Sequence, residues 1–174
     1  MSQGTAIAHP NIALVKYWGK QPGPGNLPAT PSLSITLDTL ATTTSVTTSS
    51  TDLFVLNGKS VEDEKIKRFL AELRNTFDVP PLEVETENNF PTSCGLASSA
   101  SGFAALITAI DRALDLNLDI PTRSSWARRG SGSAARSIVG GFGILQDNGE
   151  DWTAQQLLEP RELPLKIVIG VTTH

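Results

Sequence analysis

Apolar and polar residues alternate along Ser32-Leu33-Ser34-Ile35-Thr36-Leu37. Successive side chains of an extended chain face opposite ways, so this pattern predicts a half-buried strand. Leu82, Val84 and Thr86 alternate with Glu83, Glu85 and Glu87, which predicts a second strand with an acidic outer face. Leu53–Leu56 runs into Asn57-Gly58, a pair that accepts the positive φ of a type I′ turn, so a strand should enter a tight hairpin there. Further strands are predicted around Thr5–Ala8 and Phe142–Leu145. Ile66, Phe69, Leu70, Leu73 and Phe77 recur at helical spacing and predict an amphipathic helix over Val61–Phe77. Glu62, Asp63 and Glu64 at its start complement the helix dipole, a structural role. Leu96–Leu116 predicts a long helix and Arg123–Arg129 a shorter one. Thr42–Thr51 is almost entirely Thr and Ser; its β-branched residues predict an exposed, polar antiparallel strand. The continuous apolar run Ile167-Val168-Ile169 predicts that Leu165–Val171 is a strand at the centre of a sheet. A Pro- and Gly-rich loop spans Gln21–Pro31. The order of elements implies an α+β domain with helices on one face of a sheet. No repeat of 20–50 residues is visible.

The 174 residues, 39% hydrophobic and 18% charged, suit one globular domain. No apolar run approaches the ~18 residues of a membrane span. Met1-Ser2-Gln3-Gly4 does not read as a secretory signal. A single cysteine excludes a disulfide framework and a four-cysteine zinc site, and points to a reducing cytoplasm. A net charge of −4 weighs against nucleic acid or an anionic membrane as partner. A small phosphorylated ligand needs only a local cationic pocket, so the placement of each cation matters more than their sum.

Three stretches hold residue types suited to such a ligand. Small residues from Pro91 to Ser101 lead directly into an apolar helix, where free N–H groups and a positive dipole end make a ready phosphate site. The alternative is a tightly packed helix whose small residues permit close contact. Gly130-Ser131-Gly132-Ser133-Ala134-Ala135-Arg136 offers hydroxyls and a guanidinium to one anion; the alternative is a flexible linker. In Asn11–Lys20, two lysines flank an aromatic pair and a glycine, pointing into a pocket or snorkelling at the surface. Cys94 reads as small filler, Trp126 and Trp152 as packing residues. His9 and His174 are too few and too far apart to make a metal site.

Taken together, Asn11–Lys20, Leu27-Pro28 with Ser32–Leu37, Asn88–Thr92 with Gly95–Ala104, and Gly130–Ser137 resemble the diphosphomevalonate decarboxylases of the GHMP kinase superfamily. The resemblance implies the ribosomal protein S5 domain 2-like fold of the GHMP N-terminal domain, with an antiparallel or mixed sheet. It implies ATP-dependent decarboxylation of mevalonate 5-diphosphate to isopentenyl diphosphate, with ATP and Mg²⁺ as cofactors. Pro91, Ser93, Gly95, Leu96, Ala97, Ser98, Ser99 and Ser101 would then contact ATP, and Ser99 is the candidate Mg²⁺ ligand. Tyr17, Lys20, Ser131 and Ser133 would bind the diphosphate tail. Arg136 would pair with the substrate carboxylate and orient it for departure, Lys16 would neutralise charge at the reacting oxygen, and Asn11 would orient Arg136 and the carboxylate. Homodimers are common in that family. Its members carry a second half with the catalytic aspartate, so residues 1–174 are expected to be the N-terminal domain, inactive in isolation. A phosphomevalonate decarboxylase, a mevalonate 3-kinase-type relative and a non-catalytic phosphate-ligand binding domain remain as alternatives at this point.

Overall fold

The structure, a computed structural model, describes residues 2–16, 19–91 and 95–170. Its strands form two sheets. The first has the order β1 (Gln3–Ala8), β4 (Thr42–Thr48), β7 (Leu82–Asn88), β5 (Leu53–Leu56), β6 (Lys59–Ser60). It is mixed, because β5 runs parallel to β7 while every other pair is antiparallel. The second is antiparallel, in the order β2 (Asn11–Lys16), β3 (Ser32–Thr36), β8 (Phe142–Asp147), β9 (Trp152–Leu158). Three helices, α1 (Glu64–Arg74), α2 (Ser98–Leu114) and α3 (Ile120–Gly130), and the 3₁₀ helix Ala134–Ile138 complete the fold. The α+β class and mixed sheet are as expected, but the strands divide between two sheets rather than one.

Helix α2 is the central element, packing on β1 and β4, on α3 and on the 3₁₀ helix. Alanines at 100, 104, 105, 109 and 113 let these neighbours approach on several sides. Phe69 of α1 meets the Phe103 ring edge-on at 5.3 Å, and Trp126 of α3 closes the cluster at 6.4 Å from Phe69. Helix α1 starts at Glu64 because Asp63 caps it, its carboxylate accepting from the N–H groups of Lys65 and Ile66. Asn57 and Gly58 both take positive φ, as a type I′ hairpin requires.

Two expectations are corrected, and one strand is added. The threonine-rich strand β4 is not an exposed strand: it lies between β1 and β7, and Thr42, Thr44 and Val46 are fully buried under α2. Its hydroxyls make this affordable, Thr44 bonding to Thr86 and Thr42 to Ser101 and Asn88. Residues 165–170 form no strand, and Val168 is 92% exposed. A continuous apolar run becomes a central strand only where strands pair on both its sides, and among the described residues none pairs with it. Strand β9, unmarked by any alternation read above, occupies the edge beside β8, with Trp152 buried at its start.

Candidate functional site

The two sheets, α2 and the 3₁₀ helix bring distant stretches together. In the antiparallel pair β2–β3 Lys16 stands opposite Ser32, across a bulge between Ala13 and Val15. The 3₁₀ helix lies over β3, and Arg136 Nη1 donates to Ser32 Oγ. Asn11, 4% exposed, pins this helix to β2 by donating from Nδ2 to the Ser133 carbonyl at 2.9 Å and to Ser137 Oγ at 2.7 Å. Lys16, Lys20, Thr30, Ser32, Ser131, Ser133 and Arg136 thereby line one cavity of about 240 Å³.

Its electrostatics are unusual for an interior. Arg136 is only 2% exposed, no carboxylate pairs with it among the described residues, and burial pushes its guanidinium down to about 10. The Lys16 ammonium is also lowered, first by burial and then by repulsion from Arg136 and Lys20. Arg136 Nε, Asn11 Oδ1, Thr30 Oγ1 and Ser34 Oγ are buried and find no partner among the described residues. Each such group costs about 1–3 kcal/mol. An anionic ligand with several oxygens would satisfy the donors and offset the repulsion.

The cavity continues past Lys20, Asn26, Ser131 and Gly132 into a second one of about 610 Å³, which adds Lys65 and Arg68 of α1 and Arg129 of α3. Arg129 pairs with Glu72 and lies over the Trp126 ring at 4.7 Å. Lys65 and Arg68 escape the sequence reading because basic residues on the polar face of an amphipathic helix usually only meet water. Lys20 Nζ donates to Asn26 Oδ1 at 2.6 Å.

The start of α2 borders this region. Its N-cap, Ala97, is in the left-handed conformation at φ 53°, and among the described residues no side chain caps the helix. A non-glycine residue there costs about 1–2 kcal/mol, and the first-turn N–H groups keep their positive potential. Ser99 Oγ lies 3.2 Å from Ser131 Oγ, which lies 3.4 Å from Ser133 Oγ, a hydroxyl chain from α2 into the cationic cavity. Close approach of α3 to α2 depends on Gly130, where a Cβ would fall 2.0 Å from the Phe103 ring. Next to these, sharing Lys65 with the larger cationic cavity, Ser98, Ser99, Gly102 and Phe103 join Phe54, Leu56, Val61 and Ile66 around a largely apolar cavity of about 390 Å³.

The expected site residues thus divide. Lys16, Lys20, Ser131, Ser133 and Arg136 face one cavity, Asn11 supports it through the Ser133 carbonyl, and Ser98 and Ser99 line the apolar cavity, Ser99 also reaching Ser131. Gly95, at φ 76°, Leu96 and Ala97 form the approach to α2, with Pro91 exposed ahead of them. Ser101 stands apart: it is fully buried, its hydroxyl shares a hydrogen bond with Thr42 at 2.6 Å, and it lines none of the three cavities, so its side chain packs α2 onto β4. Tyr17, Ser93, Cys94 and His174 lie outside the described residues. His9 Nδ1 is engaged by the Leu40 carbonyl at 2.7 Å, and Trp126 and Trp152 are buried. No group of three or more His, Cys, Asp or Glu that could hold a metal ion exists among the described residues. Mg²⁺ would therefore have to take most of its oxygens from phosphate and water, with the Ser99 hydroxyl in reach, a donor set that suits this ion. No helix among the described residues is long and apolar enough to cross a membrane.

Comparison with known proteins adds a third line. Residues 8–156 match the family described as "Diphosphomevalonate decarboxylase-like N-terminal domain". A diphosphomevalonate decarboxylase of Candida albicans is 40% identical, the alignment covering 99% of this chain and 54% of the relative. The solved mevalonate diphosphate decarboxylase of Enterococcus faecalis superposes with a TM-score of 0.83 at 45% identity, over 90% of this chain and 52% of the other. A further structure, with TM-score 0.83 and 45% identity over 90% of this chain and 51% of the other, holds MVAPP, AMPPCP and magnesium. The chain spans about half the length of the relatives it matches.

Proposed function

Because the chain belongs to the diphosphomevalonate decarboxylase-like N-terminal domain family, we propose that it is the substrate- and nucleotide-binding half of an ATP-dependent decarboxylase acting on mevalonate 5-diphosphate in the cytoplasm. One observation carries this reading: a buried arginine without a carboxylate partner among the described residues, facing the same hollow as Lys16 and Lys20. In this reading Arg136 takes the substrate carboxylate and Ser32 holds the guanidinium in place. Lys16 offsets negative charge at the oxygen that receives the phosphoryl group. Phosphoryl transfer is promoted chiefly by positioning and charge neutralisation, and these residue types supply both. The diphosphate tail lies along Lys20, Ser131 and Ser133 toward Lys65 and Arg68. The length of this continuous cationic hollow favours a diphosphate over a monophosphate.

ATP places its phosphates at the start of α2 beside Ser98 and Ser99, and its base in the apolar cavity. Ser99 would help hold Mg²⁺ there, and the ion would supply charge neutralisation for the phosphates. The second half of the relatives would bring the proton acceptor for the tertiary hydroxyl; among the described residues no carboxylate lines the cavity that holds Lys16 and Arg136.

Calorimetric titration tests the reading. Mevalonate 5-diphosphate should bind the 174-residue chain more tightly than the monophosphate, and AMPPCP with Mg²⁺ should bind at a separate, compatible site. Arg136→Met should abolish the first and spare the second. Equal loss of both ligands, or of neither, refutes the assignment.

A further inference from the structure

Asn26 lies between the lysine of the tail site and the end of α3, and no role above accounts for it. Its Nδ2 donates to two carbonyls of the last turn of α3, Arg128 O at 3.1 Å and Arg129 O at 2.8 Å. Its Oδ1 accepts from Lys20 Nζ at 2.6 Å. This orientation is dictated by chemistry. Turning the amide over would aim its oxygen at two carbonyls and its NH₂ at an ammonium, three repulsive contacts.

The backbone around it is held as firmly. Asn26 takes a left-handed φ of 54°, which asparagine tolerates better than most residues. The preceding Gly25 carbonyl accepts from Arg128 Nη1. Arg128 is 1% exposed and is itself fixed by Asp151 Oδ1 at 2.8 Å and the Trp152 carbonyl at 3.1 Å. Gln21 N–H donates to Leu27 O, and Ala29 N–H to Gly19 O, closing the loop on itself. A lysine on an otherwise Pro- and Gly-rich loop is thus tied, through one amide, to a buried arginine and a helix end.

We propose that Asn26 is the positioning residue for Lys20, holding its ammonium over the cationic hollow without neutralising it. A freely rotating lysine would lose side-chain freedom on gripping phosphate; one already ordered loses less. A carboxylate in the same place would order Lys20 equally but cancel its charge. The neutral amide achieves the first without the second. This inference rests on the reading of Lys20 as a tail-binding cation.

The test is calorimetric titration of the 174-residue chain with mevalonate 5-diphosphate, and with inorganic pyrophosphate as a tail-only probe. Asn26→Gly removes the amide yet accepts the left-handed backbone, and Asn26→Asp keeps the size while adding charge. Asn26→Gly should weaken both ligands roughly three- to tenfold, the equivalent of about one net hydrogen bond. Asn26→Asp should weaken them by on the order of tenfold or more. In Lys20→Met, the further change Asn26→Gly should cost nothing, because a positioning residue has no effect once its target is gone. Additive losses, or wild-type affinity in both Asn26 variants, overturn the positioning role while leaving Lys20 as a tail cation. Wild-type affinity in Lys20→Met instead refutes the tail assignment itself. A merely structural Asn26 would lower the thermal midpoint and weaken AMPPCP equally, which also overturns the proposal.

Discussion

Arg136→Met should make the protein more stable while destroying its substrate site. The guanidinium is 2% exposed, and burial lowers it from its ordinary value to about 10. That fall corresponds to roughly 3 kcal/mol of disfavour for the charged form in the fold. Against this, the variant loses the bond to Ser32 and leaves some space unfilled, together about 1–2 kcal/mol. Methionine is unbranched and adaptable enough to follow the arginine stem. The net expectation is a gain of about 1–2 kcal/mol at pH 7, read as a rise of roughly 0.5–1 M in the urea midpoint. The pH dependence carries the signature. A folded value below the unfolded one means that the penalty is present in full below about 10 and lifts as the pH climbs through it toward the higher unfolded value. The stability gap between variant and wild type should therefore be about 1 kcal/mol narrower at pH 11 than at pH 9. Urea melts at both pH values give the answer. A variant less stable than wild type by 1 kcal/mol or more, or a gap that does not change with pH, would refute the claim that Arg136 is held as an uncompensated charge.

Other predictions follow from the packing and the ion pairs. Gly130→Ala sets a methyl against Phe103 and should cost about 1–3 kcal/mol, lowering the thermal midpoint by roughly 3–10 °C in calorimetry; an unchanged midpoint would show that α3 can retreat from α2. Asp52 accepts two bonds from Arg74 at 2.8 Å and one from the Leu82 N–H at 2.9 Å, so its carboxyl lies below its ordinary 3.8, chiefly through the Arg74 bond. Its contribution is present above that pH and is lost as the pH falls through the lowered folded value. Asp52→Asn should cost about 1 kcal/mol at pH 7 and almost nothing at the acid end of a pH series of melts. Ser99→Ala should weaken AMPPCP–Mg²⁺ by roughly three- to tenfold without affecting pyrophosphate, a split that titration of both ligands would reveal.

Much of the local structure was legible beforehand. The 3.6-residue spacing of Ile66, Phe69, Leu70 and Leu73 and the Asn57-Gly58 turn act over a few residues, so their outcome follows from nearby chemistry alone. The threonine strand reads as exposed because hydroxyls count as polar until partners are known, and the partners Thr86, Asn88 and Ser101 lie 42 to 59 residues away. Residues 165–170 differ for the converse reason: apolarity favours a central strand only if other strands come to both its sides. Lys65 and Arg68 carried no signal at all, since a cation facing water and a cation facing a cavity look alike along a helix.

By itself, then, the chain's order of residues determined most of the local turns, strands and helices, and marked the stretches whose residue types suit a phosphate. Its resemblance to known decarboxylases supplied roles for single residues. Only the tertiary structure decided that Arg136 lacks a carboxylate partner among the described residues, that Lys16 and Lys20 share its hollow, that Ser101 is packing and that Asn26 stands behind Lys20. The physical reason is that desolvation and charge repulsion depend on distance through space. Asn11 meets Ser133, and Asn26 meets Arg128, across more than a hundred residues of chain that no periodicity can span.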